Sequence, residues 1–161
     1  MNILATIGQI DASVEYMDRL TVKVVIVDDN KVLILNKGLL PGGGVDENES
    51  DQVAIVRELN EELGATVRDV KEIGTVVQYR NFLSKRYVIN GYVATLDSIG
   101  GSTNPQDKGE ARFVQTWLSV KDALAFVSQS IRALEAEPAN DDAYQGRLYN
   151  LMTTRELLRG L

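Results

Sequence analysis

A proline followed by three glycines, Pro41-Gly42-Gly43-Gly44, separates two residue patterns that cannot share one element. Before it, residues 21–27 (TVKVVIV) and 31–35 (KVLIL) are rich in β-branched and aliphatic side chains. Asp28-Asp29-Asn30 between them is a turn signal, so a hairpin is expected. After it, residues 51–63 show helical periodicity, with Ser50 placed as N-cap and Gly64 as stop. Residues 39–48, which hold the glycines, read as a loop.

The rest of the chain continues the mixture. Residues 3–10 can form a further strand, and 72–80 and 86–96 are strand-like with a short connection at 81–85. Residues 97–108 read as a loop and 112–118 as a strand. Two helices are expected over 121–134 and 143–158, parted by a break at 138–142. No internal repeat or low-complexity segment is present. The elements lack the regular βαβ alternation of a parallel sheet, which points to α+β, or α/β with a mixed sheet. The chain has 161 residues, which suits one domain with a core large enough to need no disulfide or structural metal.

There is no Cys and no His. Thiolate metal sites, thiol nucleophiles and a Ser-His-Asp triad are therefore excluded. Any metal must accept oxygen ligands, which favours hard cations such as Mg²⁺ or Mn²⁺. The net charge is −6 and the sequence shows no basic stripe, which argues against nucleic acid and against a polybasic membrane anchor. No basic-then-apolar leader and no spanning run is seen, so a cytoplasmic location is expected.

On the expected helix, Val53, Val56, Leu59 and Leu63 fall on one arc at about 100° per residue. Glu58, Glu61 and Glu62 fall on roughly the opposite arc as neighbours, flanked by Arg57. Taken alone, such a run is most often a solvated acidic face. A divalent cation among the carboxylates would also relieve their repulsion.

The surrounding spacing adds more. Gly43 is followed by Glu49, Arg57-Glu58-Leu59, Glu61-Glu62 and Gly64. This resembles the Nudix box, G-x5-E-x7-R-E-U-x-E-E-x-G-U with U aliphatic. All seven fixed residues match. At about 7% per residue such a match arises by chance about once in 10⁸ frames. Ala65 is smaller than the usual last aliphatic, a packing position. Leu40-Pro41-Gly42-Gly43-Gly44 resembles the family's LPGG entry to the box. Glu110, Trp117-Leu118-Ser119 and Asp122-Ala123-Leu124 resemble a later segment of many members, less specifically. The resemblance covers roughly residues 20–133.

The resemblance to the Nudix hydrolases implies an α/β/α sandwich with a mixed sheet between helices. It implies one domain over 1–161, with the box at 43–65 and C-terminal helices within 120–159. It implies Mg²⁺ or Mn²⁺ held by the Gly43 carbonyl and by Glu58, Glu61 and Glu62. It also implies an Arg57–Glu49 ion pair that orients the glutamates. The implied reaction is hydrolysis of the pyrophosphate bond in a nucleoside diphosphate linked to another moiety, by attack of water at phosphorus. The base would be Glu61 or Glu58, or the later Glu110, which reads equally well as an exposed loop acid. Homodimers are common in the family.

Arg80, Phe82, Lys85 and Arg86 could supply cations for phosphate and an aromatic for base stacking. Such a cluster is more often an ordinary charged hairpin tip. Tyr144 and Tyr149 read as packing residues. No proline near residue 80 of the ADP-ribose hydrolase kind and no tail resembling the NADH hydrolases is seen. A catalytically silent nucleotide sensor is the main rival, although all box glutamates are present. The isoprenoid isomerase branch uses a Cys that this chain lacks, and an acidic non-enzymatic scaffold would show no Mg²⁺ dependence.

Overall fold

The structure is a computed structural model that describes residues 1–100, 113–138 and 140–161. Its strands are β1 (Ile3–Ile7), β2 (Met17–Asp28), β3 (Lys31–Leu35), β4 (Thr66–Arg80), β5 (Lys85–Ser98) and β6 (Gln115–Leu118). Its helices are α1 (Asp51–Leu63), α2 (Val120–Glu135) and α3 (Asp142–Arg159), with one 3₁₀ turn at Asn81–Leu83. The strands form one mixed six-stranded sheet in the order β1-β4-β5-β2-β3-β6. The pairs β1–β4 and β2–β5 are parallel, while β4–β5, β2–β3 and β3–β6 are antiparallel.

The apolar run of β2 is buried on both faces, which is why it lacks an apolar–polar alternation. Val22, Val24 and Ile26 pack with Ala54, Ile55, Leu59 and Leu63 of α1. Val25, together with Val32 and Ile34 of β3, packs against Val127 and Ile131 of α2 and Leu151 and Leu157 of α3. The result is the expected α+β sandwich, with α1 on one face of the sheet and α2 and α3 on the other. The β2–β3 turn places Asp29 and Asn30 at φ 44° and 60°, the two positive values a two-residue hairpin turn of matching twist requires.

The β2–β3 ladder is short, pairing only Val27 with Val32 and Asp28 with Lys31. Beyond it the strands part, and the edge of β2 needs other partners. The glycine loop supplies them. The Val24 amide donates to the Pro41 carbonyl (3.0 Å), the Val22 amide to the Gly43 carbonyl (2.9 Å), and the Val45 amide to the Leu20 carbonyl (3.1 Å). The loop is thereby fixed against the sheet at the start of α1.

Helix α1 begins and ends as expected. The Ser50 hydroxyl accepts from the Val53 amide (3.3 Å), and Gly64 ends the helix in the left-handed region at φ 55°. Its inner face differs from the expected arc. Val53 and Val56 are 57% and 68% exposed, whereas Ala54, Ile55, Leu59 and Leu63 are buried. The helix is rotated so that Ile55, absent from the expected arc, packs against the sheet in place of Val53 and Val56. Glu58 and Glu62 therefore flank the buried stripe instead of facing away from it, and Glu61 stays exposed.

Candidate active site

The rotation of α1 brings its carboxylates against the glycine loop. The Gly42 amide donates to Glu62 Oε2 at 2.7 Å. Glu58 lies directly on Gly43, where a Cβ would overlap its carboxylate. Gly42 itself has φ 116°, and a Cβ there would overlap the Val22 carbonyl oxygen. Both glycines are thus required by close approach, one of backbone to backbone and one of backbone to carboxylate.

Arg57 ties this arrangement together. Its Nε donates to Glu49 Oε1 at 2.9 Å and its Nη2 to Glu49 Oε2 at 2.8 Å, a two-point fork. Nη2 also donates to the Gly44 carbonyl at 2.8 Å, and Nη1 donates to Glu58 Oε1 at 2.7 Å. Glu61 Oε2 stands 3.5 Å from Nη1. The guanidinium holds the Glu49 carboxyl down to about 2, with the Asp46 amide contributing a further hydrogen bond. The Arg57 pKa is raised in turn, first by Glu49 and then by Glu58.

Lys23 of β2 was not singled out by the sequence, although a lone charge inside TVKVVIV was a usable signal. Its ammonium donates to the Leu40 carbonyl (3.0 Å) and to the Gly42 carbonyl. Desolvation lowers its pKa, and the nearby charges of Glu62 and Glu58 act against that shift. A cation is therefore already set among two carboxylates and two carbonyl oxygens. The carbonyl turned to it is that of Gly42. The Gly43 carbonyl accepts instead from Val22 in the β2 edge.

This donor set is all oxygen, which suits a hard divalent cation. Among the described residues, no three acidic side chains are close enough as placed to share one ion. The convergence consists of Glu58, Glu62 and the Gly42 carbonyl, with Glu61 beside Arg57 at the rim. Glu110 lies outside the described residues.

Asp51, in the first turn of α1, is a further residue the sequence did not reveal. It accepts from Asn90 Nδ2 (2.8 Å) and from the Tyr92 hydroxyl (2.6 Å) of β5, and so fixes the helix to the sheet. Burial, and then Asp51, raise the Tyr92 pKa.

A cleft of about 250 Å³ opens from Gly43, Gly44 and Lys23 along the α3 face of the sheet to Arg80, Tyr87 and Asn150. Of the residues considered for substrate, Arg80 lines this cleft. Phe82 sits on the 3₁₀ turn, 55% exposed, and does not line it. Arg86 forms a two-point pair with Asp18, Nε to Oδ1 at 2.7 Å and Nη2 to Oδ2 at 2.5 Å, and also lies outside the lining. Tyr149 packs on α3 and its carbonyl accepts from Gln78.

The sequence model of the NUDIX domain matches residues 17–138. Among solved structures, a MutT NUDIX hydrolase from Burkholderia pseudomallei is 21% identical, covering 83% of this chain and 98% of that chain, with TM-score 0.53. A NUDIX hydrolase from Nitrosomonas europaea is 20% identical, covering 85% of this chain and 95% of that chain, with TM-score 0.54. A UDP-X diphosphatase is 15% identical, covering 92% of this chain and 66% of that chain, with TM-score 0.55. At these identities the likeness is one of fold. No curated protein matches the chain in sequence.

Proposed function

The chain belongs to the NUDIX domain family and is an enzyme of the pyrophosphohydrolase type, and from that premise we propose its substrate class and the roles of its residues. The substrate is a nucleoside diphosphate linked to another moiety. The cofactor is a divalent cation, Mg²⁺ or Mn²⁺. The observation that carries this reading is the convergence of Glu58, Glu62 and the Gly42 carbonyl around the Lys23 ammonium, where the cleft begins.

Glu62 and Glu58, with the Gly42 carbonyl, would hold the cation, and Glu61 would add a carboxylate from the rim. When bound, the cation neutralises phosphate oxygens and makes water more acidic. Glu58 takes the proton of the attacking water in this reading, because it lies on Gly43 at the cleft. A P–O bond forms to the water oxygen and the bridging P–O bond breaks, leaving two phosphorylated products. Arg57 does not touch substrate. It fixes the Glu58 carboxylate and is itself fixed by Glu49. Arg80 faces the substrate from the far end of the cleft. Residues 1–161 act as one catalytic unit, with α2 and α3 closing one face of the sheet.

The test is a panel of nucleoside diphosphate compounds and nucleoside triphosphates, each assayed with Mg²⁺, with Mn²⁺ and with EDTA. Metal-dependent release of a nucleoside monophosphate from at least one compound is expected. No turnover of any compound with either metal would favour the nucleotide-sensing alternative.

A further inference from the structure

Arg80 is only 9% exposed, yet among the described residues the groups it hydrogen-bonds and stacks on are neutral. Its Nε donates to Gln78 Oε1 at 2.9 Å, and its Nη2 donates to Asn150 Oδ1 at 2.8 Å. Its guanidinium carbon lies 4.2 Å from the centre of the Tyr87 ring. No carboxylate among the described residues pairs with it, and Asp142, at the exposed start of α3, acts on it through space. A buried charge without a counter-charge is costly and needs compensation.

The surroundings hold this cation in place and keep it available. Gln78 is fully buried, and its Nε2 donates to Thr153 Oγ1 (2.6 Å) and to the Tyr149 carbonyl (3.1 Å), which ties β4 to α3 behind the guanidinium. Gly146 leaves room beside Nη1, where a Cβ would stand 3.1 Å away. Among the described residues, hydrogen bonds take two of its five N–H donors, which leaves three, including both on Nη1. Arg80 shares its cleft with the cationic side chains of Lys23 and Arg19. Asn150 and Thr153 belong to α3, which lies beyond the residues matched by the NUDIX domain.

We propose that Arg80, oriented by Gln78 and Asn150, is an anion-binding specificity residue that pairs with a phosphate oxygen of the substrate remote from the bond that is cleaved. The identification of this anion as part of a substrate rests on the hydrolase reading above. Substrates with a further phosphoryl group are favoured over those whose second moiety is neutral. The C-terminal helix is what adds this preference to the fold.

The test is calorimetric titration of inorganic pyrophosphate into the 161-residue chain in EDTA, which reads the anion cleft without turnover. Arg80→Gln is expected to raise the Kd at least 10-fold. Asn150→Asp places a carboxylate 2.8 Å from Nη2 and supplies the counter-charge internally, so it should raise the Kd by a similar factor with no loss of melting temperature. Arg68→Gln, which breaks only exposed pairs with Asp69 and Asp97, should leave the Kd unchanged. Wild-type affinity in a folded Asn150→Asp protein, or no binding by the wild type, would overturn the proposal. A wild-type protein that binds pyrophosphate in this Arg80-dependent way, yet hydrolyses nothing with Mg²⁺ or Mn²⁺, supports the anion site and overturns the hydrolase reading.

Discussion

Arg57 grips Glu49 eight residues away through two hydrogen bonds of 2.9 and 2.8 Å, and it holds Glu58 with its remaining terminal nitrogen. The fork requires the flat guanidinium. Lysine offers one compact ammonium and cannot keep both partners and the Gly44 carbonyl. Arg57→Lys should therefore lower kcat/KM by about 10- to 100-fold, the usual cost of losing a group that orients metal-site ligands. Steady-state kinetics at several Mg²⁺ concentrations would show it. An unchanged kcat/KM would mean that Glu58 needs no such support.

The same pair makes stability depend on pH. Glu49 has its carboxyl depressed from about 4.5 in the unfolded chain to about 2 in the folded one. A depressed acid stabilises the fold above the unfolded value, and that contribution fades as pH falls through the folded value. The melting temperature of the wild type should exceed that of Glu49→Gln above about pH 5, and the two should converge toward about pH 2. A gap that stays constant across this window would show that Glu49 does not act through its charge.

The orientation of α1 is tested by two neighbours. Ile55 is buried against the sheet and Val56 is 68% exposed. Ile55→Ala should cost about 2–5 kcal/mol in urea unfolding. Val56→Lys should change stability by less than about 0.5 kcal/mol. The reverse order would place the helix in the orientation that turns Glu58 and Glu62 outward.

Gly42 is constrained by backbone on both counts. Its φ of 116° suits glycine, and a Cβ would meet the Val22 carbonyl oxygen. Gly42→Ala should destabilise the fold by about 2 kcal/mol, and it should also weaken Mg²⁺ binding because the Gly42 carbonyl would shift. Denaturant unfolding and metal titration read the two effects separately. An unaltered unfolding midpoint would show that the loop can move away from β2 freely.

Much of this was legible in the chain. The β-branched run of β2 and β3, the Asp29-Asn30 turn, the Ser50 cap and the Gly64 stop are local signals, and each produced its element. The Arg57–Glu49 contact was available from the spacing of the box through its resemblance to a family. The facing of α1 was not. Val53 and Val56 fit an apolar arc as well as Ile55 does, and only the sheet beneath decides which arc is buried. The turn of the Gly42 carbonyl toward Lys23 was not legible, because backbone direction in a glycine loop depends on its pairing with β2. The links from Gln78 to Tyr149 and from Arg80 to Asn150 were invisible because they join residues 70 or more positions apart through a helix docked on the face of the sheet opposite α1.

The most direct measurement is metal-dependent turnover by Glu62→Gln and Glu58→Gln beside the wild type, on whichever nucleoside diphosphate compound the wild type cleaves fastest. Each substitution keeps the side-chain shape and removes one negative charge from the convergence at Gly42 and Gly43. A fall in kcat/KM of about 100-fold or more in each, with melting temperatures near that of the wild type, is expected. Wild-type kcat/KM in both variants would show that these carboxylates neither hold the cation nor take the proton.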